Sequence, residues 1–137
     1  MSAYQQAIGK IFLTYNWCSE SLKQTVAPYD ITTQQFSVLR ILRDQYPRPS
    51  TVSFVKETML DKMCDASRIV DRLQQKNLII KQSNVRDKRA VDIVISDKGI
   101  TLLQKIDEEV NLSDIISGHL TLKEAQELNQ LLDKLRA

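Results

Sequence analysis

Few side chains in this 137-residue sequence could make or break a covalent bond. The single histidine, His119, sits in "ISGHLT" with no ligand or triad partner in view, so it is expected to be a loop or helix-start residue without chemistry. Cys18 and Cys64 do not form a metal-type pair, and the chain has no glycine-rich phosphate loop and no Ser/His/Asp set. These absences argue against an enzyme and leave no call for a metal or cofactor. What remains is cationic chemistry. Arg68 and Arg72 lie in "DASRIVDRLQQKN", and Arg86, Lys88 and Arg89 crowd the middle of "SNVRDKRAVDIVISDKG". Guanidinium and ammonium groups in such numbers grip phosphates, though a charged turn can also be merely solvated.

The net charge of +2 conceals how unevenly these cations are distributed. Residues 48–89 hold ten Lys or Arg against five Asp or Glu, whereas the rest of the chain holds nine against twelve. A basic middle between acidic ends suits a polyanion-binding module on neutral supports. The length fits one domain with a real core, and three glycines and three prolines are too few for a many-turned sandwich. No apolar run approaches the roughly 18 to 20 residues that cross a bilayer. The start "MSAYQQAIGKIF" lacks the pattern of a secretion signal, so a cytoplasmic protein with both thiols reduced is expected.

Periodicity supplies the elements that would position the cations. Ile8, Ile11, Phe12, Tyr15 and Leu22 form one helical stripe, interrupted by "APYDITTQQ" with Pro28 and the capping residues Asp30, Thr32 and Thr33. A second helix over Thr33–Gln45 has apolar residues too widely spread for one exposed face, which predicts a central helix touched from two sides. "STVSFVKETML" predicts a short helix capped by Ser50 or Thr51, with Val52, Val55 and Met59 inward, and "DKMCD" a tight turn with Met63 as its inward plug. The next helix opens at Asp65 and sets Ala66, Ile69, Val70 and Leu73 at i, i+3, i+4 and i+7. Its opposite face carries Ser67, Arg68, Asp71, Arg72, Gln74 and Gln75, and Asn77 closes it. "LIIKQS" and "AVDIVIS" read as two strands flanking the charged tip, and Ser96 and Asp97 start another helix. Two short helices joined by a tight turn, followed at once by a hairpin, describe a winged helix. The fold class expected is therefore mainly α with a small β-hairpin wing, whose basic tip reaches phosphates or a minor groove beside the helix's major-groove site.

The run from "STVSFVKETML" to "DKG" resembles the core of the MarR family of bacterial transcription regulators. Asp87-Lys88-Arg89 matches the family's D-x-R, and Ser96-Asp97-Lys98-Gly99 matches its T-x-x-G with serine for threonine. Ser67-Arg68-Ile69-Val70-Asp71-Arg72-Leu73 is similar to T-R-L-V-D-R-L, and Asn77 stands where the family often has glycine. The resemblance covers nearly the whole chain, since terminal helices on both sides of the winged helix are a family feature. It implies one domain over residues 1–137, with a DNA-binding lobe at 33–99 and dimerisation helices at 1–27 and 100–137.

The resemblance further implies that Ser67, Arg68 and neighbouring positions, Asp71 and Arg72 among them, approach base edges and phosphates. Arg89 would enter the minor groove or grip the backbone, with Arg86 and Lys88 adding charge. Asp87 is odd in a DNA-facing tip, and a carboxylate there would orient a guanidinium such as Arg89 or Arg72. Arg72 is equally open to being a structural ion-pair partner, and Gln74 and Gln75 to being simply solvated.

In "TLKEAQELNQLLDKLRA" the stripe Leu122, Ala125, Leu128, Leu131, Leu132 and Leu135 either packs on its own core or pairs with a partner. The resemblance implies pairing, with Leu128, Leu132 and Leu135 joined by Ile8 and Phe12 of the first helix in a homodimer. Such a dimer would set two recognition helices about one DNA turn apart on a pseudo-palindrome. The expected function is a sequence-specific repressor released by a small aromatic effector. Tyr15, Trp17 and Phe36 lie on segments that could line its cleft, or they are plain core and interface packing. Two alternatives stand beside this. One is a thiol-based redox sensor, although Cys18 has Glu20 closer than Lys23, and Cys64 reads as a small buried apolar residue. The other is a winged-helix protein-interaction module, which would not need the basic surplus.

Overall fold

The computed structural model describes residues 1–137 as seven α-helices, one 3-10 turn and one two-stranded sheet. In chain order these are α1 (Ala3–Val26), the 3-10 turn (Ala27–Tyr29), α2 (Thr33–Gln45), α3 (Val52–Thr58) and α4 (Ala66–Gln75). Strands β1 (Ile79–Ser83) and β2 (Val91–Ile95) follow, then α5 (Asp97–Glu109), α6 (Asp114–Ser117) and α7 (Leu122–Leu135). The chain separates into two compact units, one of Lys23–Val110 and one of Met1–Leu22 with Asn111–Ala137. The first is wider at both ends than the 33–99 lobe expected from the sequence.

The Lys23–Val110 unit holds the core. Helix α2 lies at its centre, packed by α3, α4, α5 and β2, and the breadth of its apolar set is explained by enclosure of Phe36, Val38, Leu39 and Leu42. A reciprocal capping box starts it: the Gln35 amide donates to Thr32 Oγ1 at 3.0 Å and the Thr32 amide to Gln35 Oε1 at 3.1 Å. Asp30 just before it takes the left-handed conformation (φ 58°) that lets the chain turn. Thr51 caps α3 and Asp65 caps α4 through their side chains. Val55, Met59, Val70 and Leu73 are fully enclosed, and each such side chain contributes about 1.5 to 3 kcal/mol relative to exposure.

The turn between α3 and α4 departs from expectation at Met63. Its side chain is 94% exposed, and Met59 before it and Cys64 after it fill the interior instead, their sulfurs 3.4 Å apart. The cause is local: the Met63 amide donates to Asp61 Oδ1 at 3.0 Å, which folds the turn so that residue 63 points outward.

The strands pair antiparallel, Ile79 opposite Ile95 and Ser83 opposite Val91. Ser50 adds a single bridge to the outer edge of β2, exchanging two backbone hydrogen bonds of 2.8 Å with Ile93. At the other end of the hairpin, Asn77 (φ 63°) ends α4 as expected. Ser96 joins that end to α5, its hydroxyl donating to the Asn77 carbonyl at 2.7 Å and accepting from the Gly99 amide at 3.1 Å. Gly99 is required here. A Cβ on it would fall 2.7 Å from Ile95 Cγ1 and within clashing distance of the Leu78 carbonyl oxygen.

The unit of Met1–Leu22 and Asn111–Ala137 is built differently. None of its residues is fully enclosed. Leu112, Ile115, Leu120, Ala125 and Leu132 are half-buried, and Trp17 packs edge-on against His119 with ring centroids 5.5 Å apart. Tyr4, Ile8, Phe12, Leu13 and Tyr15 of α1 and Leu122, Leu128, Leu131 and Leu135 of α7 are exposed. A second capping box, Thr121 with Glu124, starts α7. The Thr121 amide, and then its hydroxyl, hold the Glu124 carboxyl below the usual glutamate range. No helix is long and apolar enough to cross a membrane.

Candidate nucleic-acid interface

Helix α4 is divided cleanly along its length. Ala66, Ile69, Val70 and Leu73 are buried, and Ser67, Arg68, Asp71 and Arg72 face outward. The division follows from apolar residues at helical spacing. The buried stripe presses on α2, α3 and β1, so rotation of the outward face would expose four core side chains at once. Gln74 and Gln75 are exposed further along the helix. Of the polar face, Asp71 alone is ion-paired within the unit, with Lys81 of β1. Arg68 and Arg72 donate to no carboxylate, which leaves both guanidinium groups available to an outside anion.

The hairpin tip is ordered by two short polar side chains. Asn84 Oδ1 accepts from the Arg86 and Asp87 amides, both at 2.8 Å, and its amide donates to Asp92 Oδ1 at 2.9 Å. Asp87 Oδ1 accepts from the Arg89 amide at 3.0 Å. The Asp87 carboxylate therefore fixes backbone and pairs with no guanidinium, neither that of Arg89 nor that of Arg72. The physical reason is proximity: an acceptor two residues before an amide closes an Asx turn with almost no loss of side-chain freedom. The outcome is an exposed tip carrying Arg86, Lys88 and Arg89, with Val85 fully exposed beside them.

Two features of this face were not apparent from the sequence. Asn84 is the tip's principal organiser, and the signal for it was the Asn among turn residues in "QSNVRDKR". The second is a groove of about 310 Å³ between Thr51, Val52 and Ser53 at the start of α3 and Arg89, Ala90 and Val91 at the root of the wing. The Ser50–Ile93 bridge brings these segments together. A single bridge has no periodicity to betray it.

The remaining expected residues lie elsewhere. Ile8, Phe12, Tyr15 and Trp17 are on α1, the first three well exposed. Leu128, Leu132 and Leu135 are on α7, Leu132 half-buried and the other two exposed. Phe36 is buried in α2 with the Arg40 guanidinium 5.4 Å over its ring. Cys18 is half-buried and Cys64 buried, and neither is in a disulfide.

Comparison with known proteins gives the same picture. Residues 31–91 match the model of the MarR family. The transcriptional regulator MgrA of Staphylococcus aureus is 34% identical over 109 residues, covering 78% of this chain and 71% of that protein. Among solved structures, a cysteine-to-serine mutant of MarR from E. coli complexed with operator DNA superposes with a TM-score of 0.80 at 24% identity, covering 98% of this chain and 99% of that one. BpsR of Bordetella bronchiseptica, whose DNA binding is regulated by 6-hydroxynicotinic acid, gives 0.77 at 22% identity over 96% and 99% of the two chains. The mainly helical unit with its hairpin is thus the winged helix that the resemblance implied. With so similar a relative over so much of both chains, the protein belongs to the MarR family: it is a DNA-binding regulator of transcription and not an enzyme.

Proposed function

We propose that the protein acts in the cytoplasm as a homodimeric repressor that binds a pseudo-palindromic operator and releases it when a small organic effector binds. The observation that carries this reading is the division of α4: a face of Ser67, Arg68 and Arg72 is held outward by a buried apolar stripe, in the same unit as an ordered basic hairpin tip. Ser67 and Arg68 are assigned to base edges in the major groove, and Arg89 to the minor groove or its phosphates. Arg72, Arg86 and Lys88 are assigned to the backbone. Asp71, paired with Lys81, tunes the charge of that face. The exposed apolar residues of α1 and α7, Ile8, Phe12, Leu128 and Leu135 among them, support a second copy as partner. The effector reading draws on BpsR and its aromatic acid.

The test is binding-site selection from random DNA, followed by titration of the selected operator at several salt concentrations. Affinity is expected to fall steeply with salt, with a logarithmic slope of about −0.9 per phosphate neutralised. Ser67→Ala and Arg68→Ala should change which sequences are selected, whereas Lys88→Ala should weaken all sequences nearly equally. Salt-independent binding, or a sequence preference that follows Lys88 and ignores the helix, would overturn the assignment.

A further inference from the structure

In the Lys23–Val110 unit three large apolar side chains are almost wholly exposed: Leu60 at 99%, Met63 at 94% and Val85 at 96%. Val85 is at the wing tip, and the other two flank Asp61 in the turn that leads into α4. Single apolar residues scattered over a surface need no explanation. These three are not scattered. They lie on the two segments that adjoin the outward Ser67 and Arg68 and that carry the cationic tip.

The turn is built to hold Met63 out. Asp61 Oδ1 accepts from the Met63 amide at 3.0 Å, and Asp61 Oδ2 accepts from Gln34 Nε2 at 3.0 Å, which anchors the turn to the start of α2. Lys62 Nζ donates to the Glu57 carbonyl near the end of α3. On the other side Met59 and Cys64 fill the interior, and Asp65 Oδ1 accepts from the Arg68 amide at 3.2 Å. Met63 therefore stands two residues before the cap of α4 on a backbone tied from both sides. Turning it inward would break its bond to Asp61 and displace the buried sulfurs of Met59 and Cys64. A turn that met only water would be served there by a polar residue.

A recognition helix brings its N-terminal end, and the residues just before it, against the base edges of the major groove. The apolar group that a base pair presents there is the thymine 5-methyl. Methionine suits it, because three rotatable bonds and a polarizable sulfur let the side chain settle on a methyl without exact placement. From this we infer that Met63 is a specificity-determining residue that packs on a thymine methyl at the edge of the site read by Ser67 and Arg68. The contact tells thymine from uracil by a single carbon, which a hydrogen bond to the base edge does not. Leu60, on the far side of Asp61 from α4, is assigned to no base. This role for Met63 rests on the placing of α4 in the major groove proposed above, and on neither the dimer nor the effector.

The experiment is uracil scanning of the operator selected from random DNA. Each thymine is replaced in turn by uracil, which removes the methyl and leaves every charge and hydrogen-bonding group in place. Fluorescence anisotropy with the full chain is expected to find at least one thymine whose replacement weakens wild-type binding about three- to fourfold, the worth of one buried methyl. Met63→Ala should bind the thymine and uracil operators equally, with an unchanged salt dependence because no phosphate contact is lost. Met63→Gln, similar in length but polar at its end, should do the same, and Leu60→Ala should keep the wild-type difference. Circular dichroism checks that the variants are folded. An operator with no uracil-sensitive thymine, a difference that persists in Met63→Ala, or its loss in Leu60→Ala alone would overturn the role of Met63. Ser67→Ala and Arg68→Ala separate that failure from one of the groove assignment. If they shift the selected sequence while Met63→Ala changes nothing, α4 keeps its groove and Met63 loses its role. If they too change nothing, both assignments fall together.

Discussion

The Asp71 carboxylate on the outward face of α4 is ion-paired with the Lys81 ammonium on β1, so the recognition helix and the wing are tied across the surface as well as through the core. The pair is solvent-accessible, the Asp71 side chain 57% exposed, and pairs of that kind contribute about 0.2 to 1 kcal/mol. Its larger effect is on charge. Asp71→Asn is expected to change stability by less than about 1 kcal/mol while tightening non-specific DNA binding a few-fold at low salt. The gain should fade as salt screens the surface. Urea denaturation and a gel shift at two salt concentrations check this; a loss of DNA affinity in the folded variant would show that Asp71 makes a contact of its own.

At the wing, Arg89→Ala is expected to lower operator affinity by about 1 to 3 kcal/mol, the range for losing a good charged contact. Asn84→Ala should also weaken binding although it removes no charge, because the Arg86 and Asp87 amides lose their acceptor. Fluorescence anisotropy with labelled operator measures both. Unchanged binding by folded Arg89→Ala protein would sink the wing assignment.

Much of this architecture is legible in the sequence because it rests on short-range rules. The caps at Thr32, Thr51, Asp65 and Ser96, the left-handed Asn77 and the stripe of α4 each need only a few neighbouring residues to specify them. The outward Met63 is not legible, because the side a turn residue faces depends on which way the turn is wound, and the Asp61 side chain decides that. The role of Asp87 is not legible because the sequence shows only its charge, opposite to those of Arg89 and Arg72, whereas in three dimensions the nearer Arg89 amide takes the carboxylate. The groove between Thr51 and Arg89 depends on a bridge spanning some forty residues of sequence, which no local pattern encodes.

Gly99→Ala tests the seam between hairpin and α5. A methyl group there meets the Leu78 carbonyl oxygen and Ile95, neither of which is a flexible side-chain end free to step aside. Overpacking of this kind costs about 1 to 3 kcal/mol. A lower urea midpoint with an unchanged slope is expected, and wild-type stability would show that the seam can open without penalty.

Leu128 and Leu132 test assembly. The double variant Leu128→Asp, Leu132→Asp should sediment as a monomer or fail to fold, and its operator affinity should fall roughly a hundredfold or more as the second half-site ceases to add to the first. A folded variant that still sediments as a dimer would confine this stripe to its own unit.

The two side chains that brace the wing tip also have a kinetic meaning. Between Leu78 and Lys98 there is no glycine, and Asn84 and Asp87 supply the acceptors that tie down the loop. The loss of freedom in shaping that loop is therefore met when the chain folds, before any DNA arrives. A tip shaped beforehand need not be ordered on each encounter. On the proposed assignment, Arg86, Lys88 and Arg89 would then act during the approach itself, drawing the protein along the duplex while α4 samples one sequence after another.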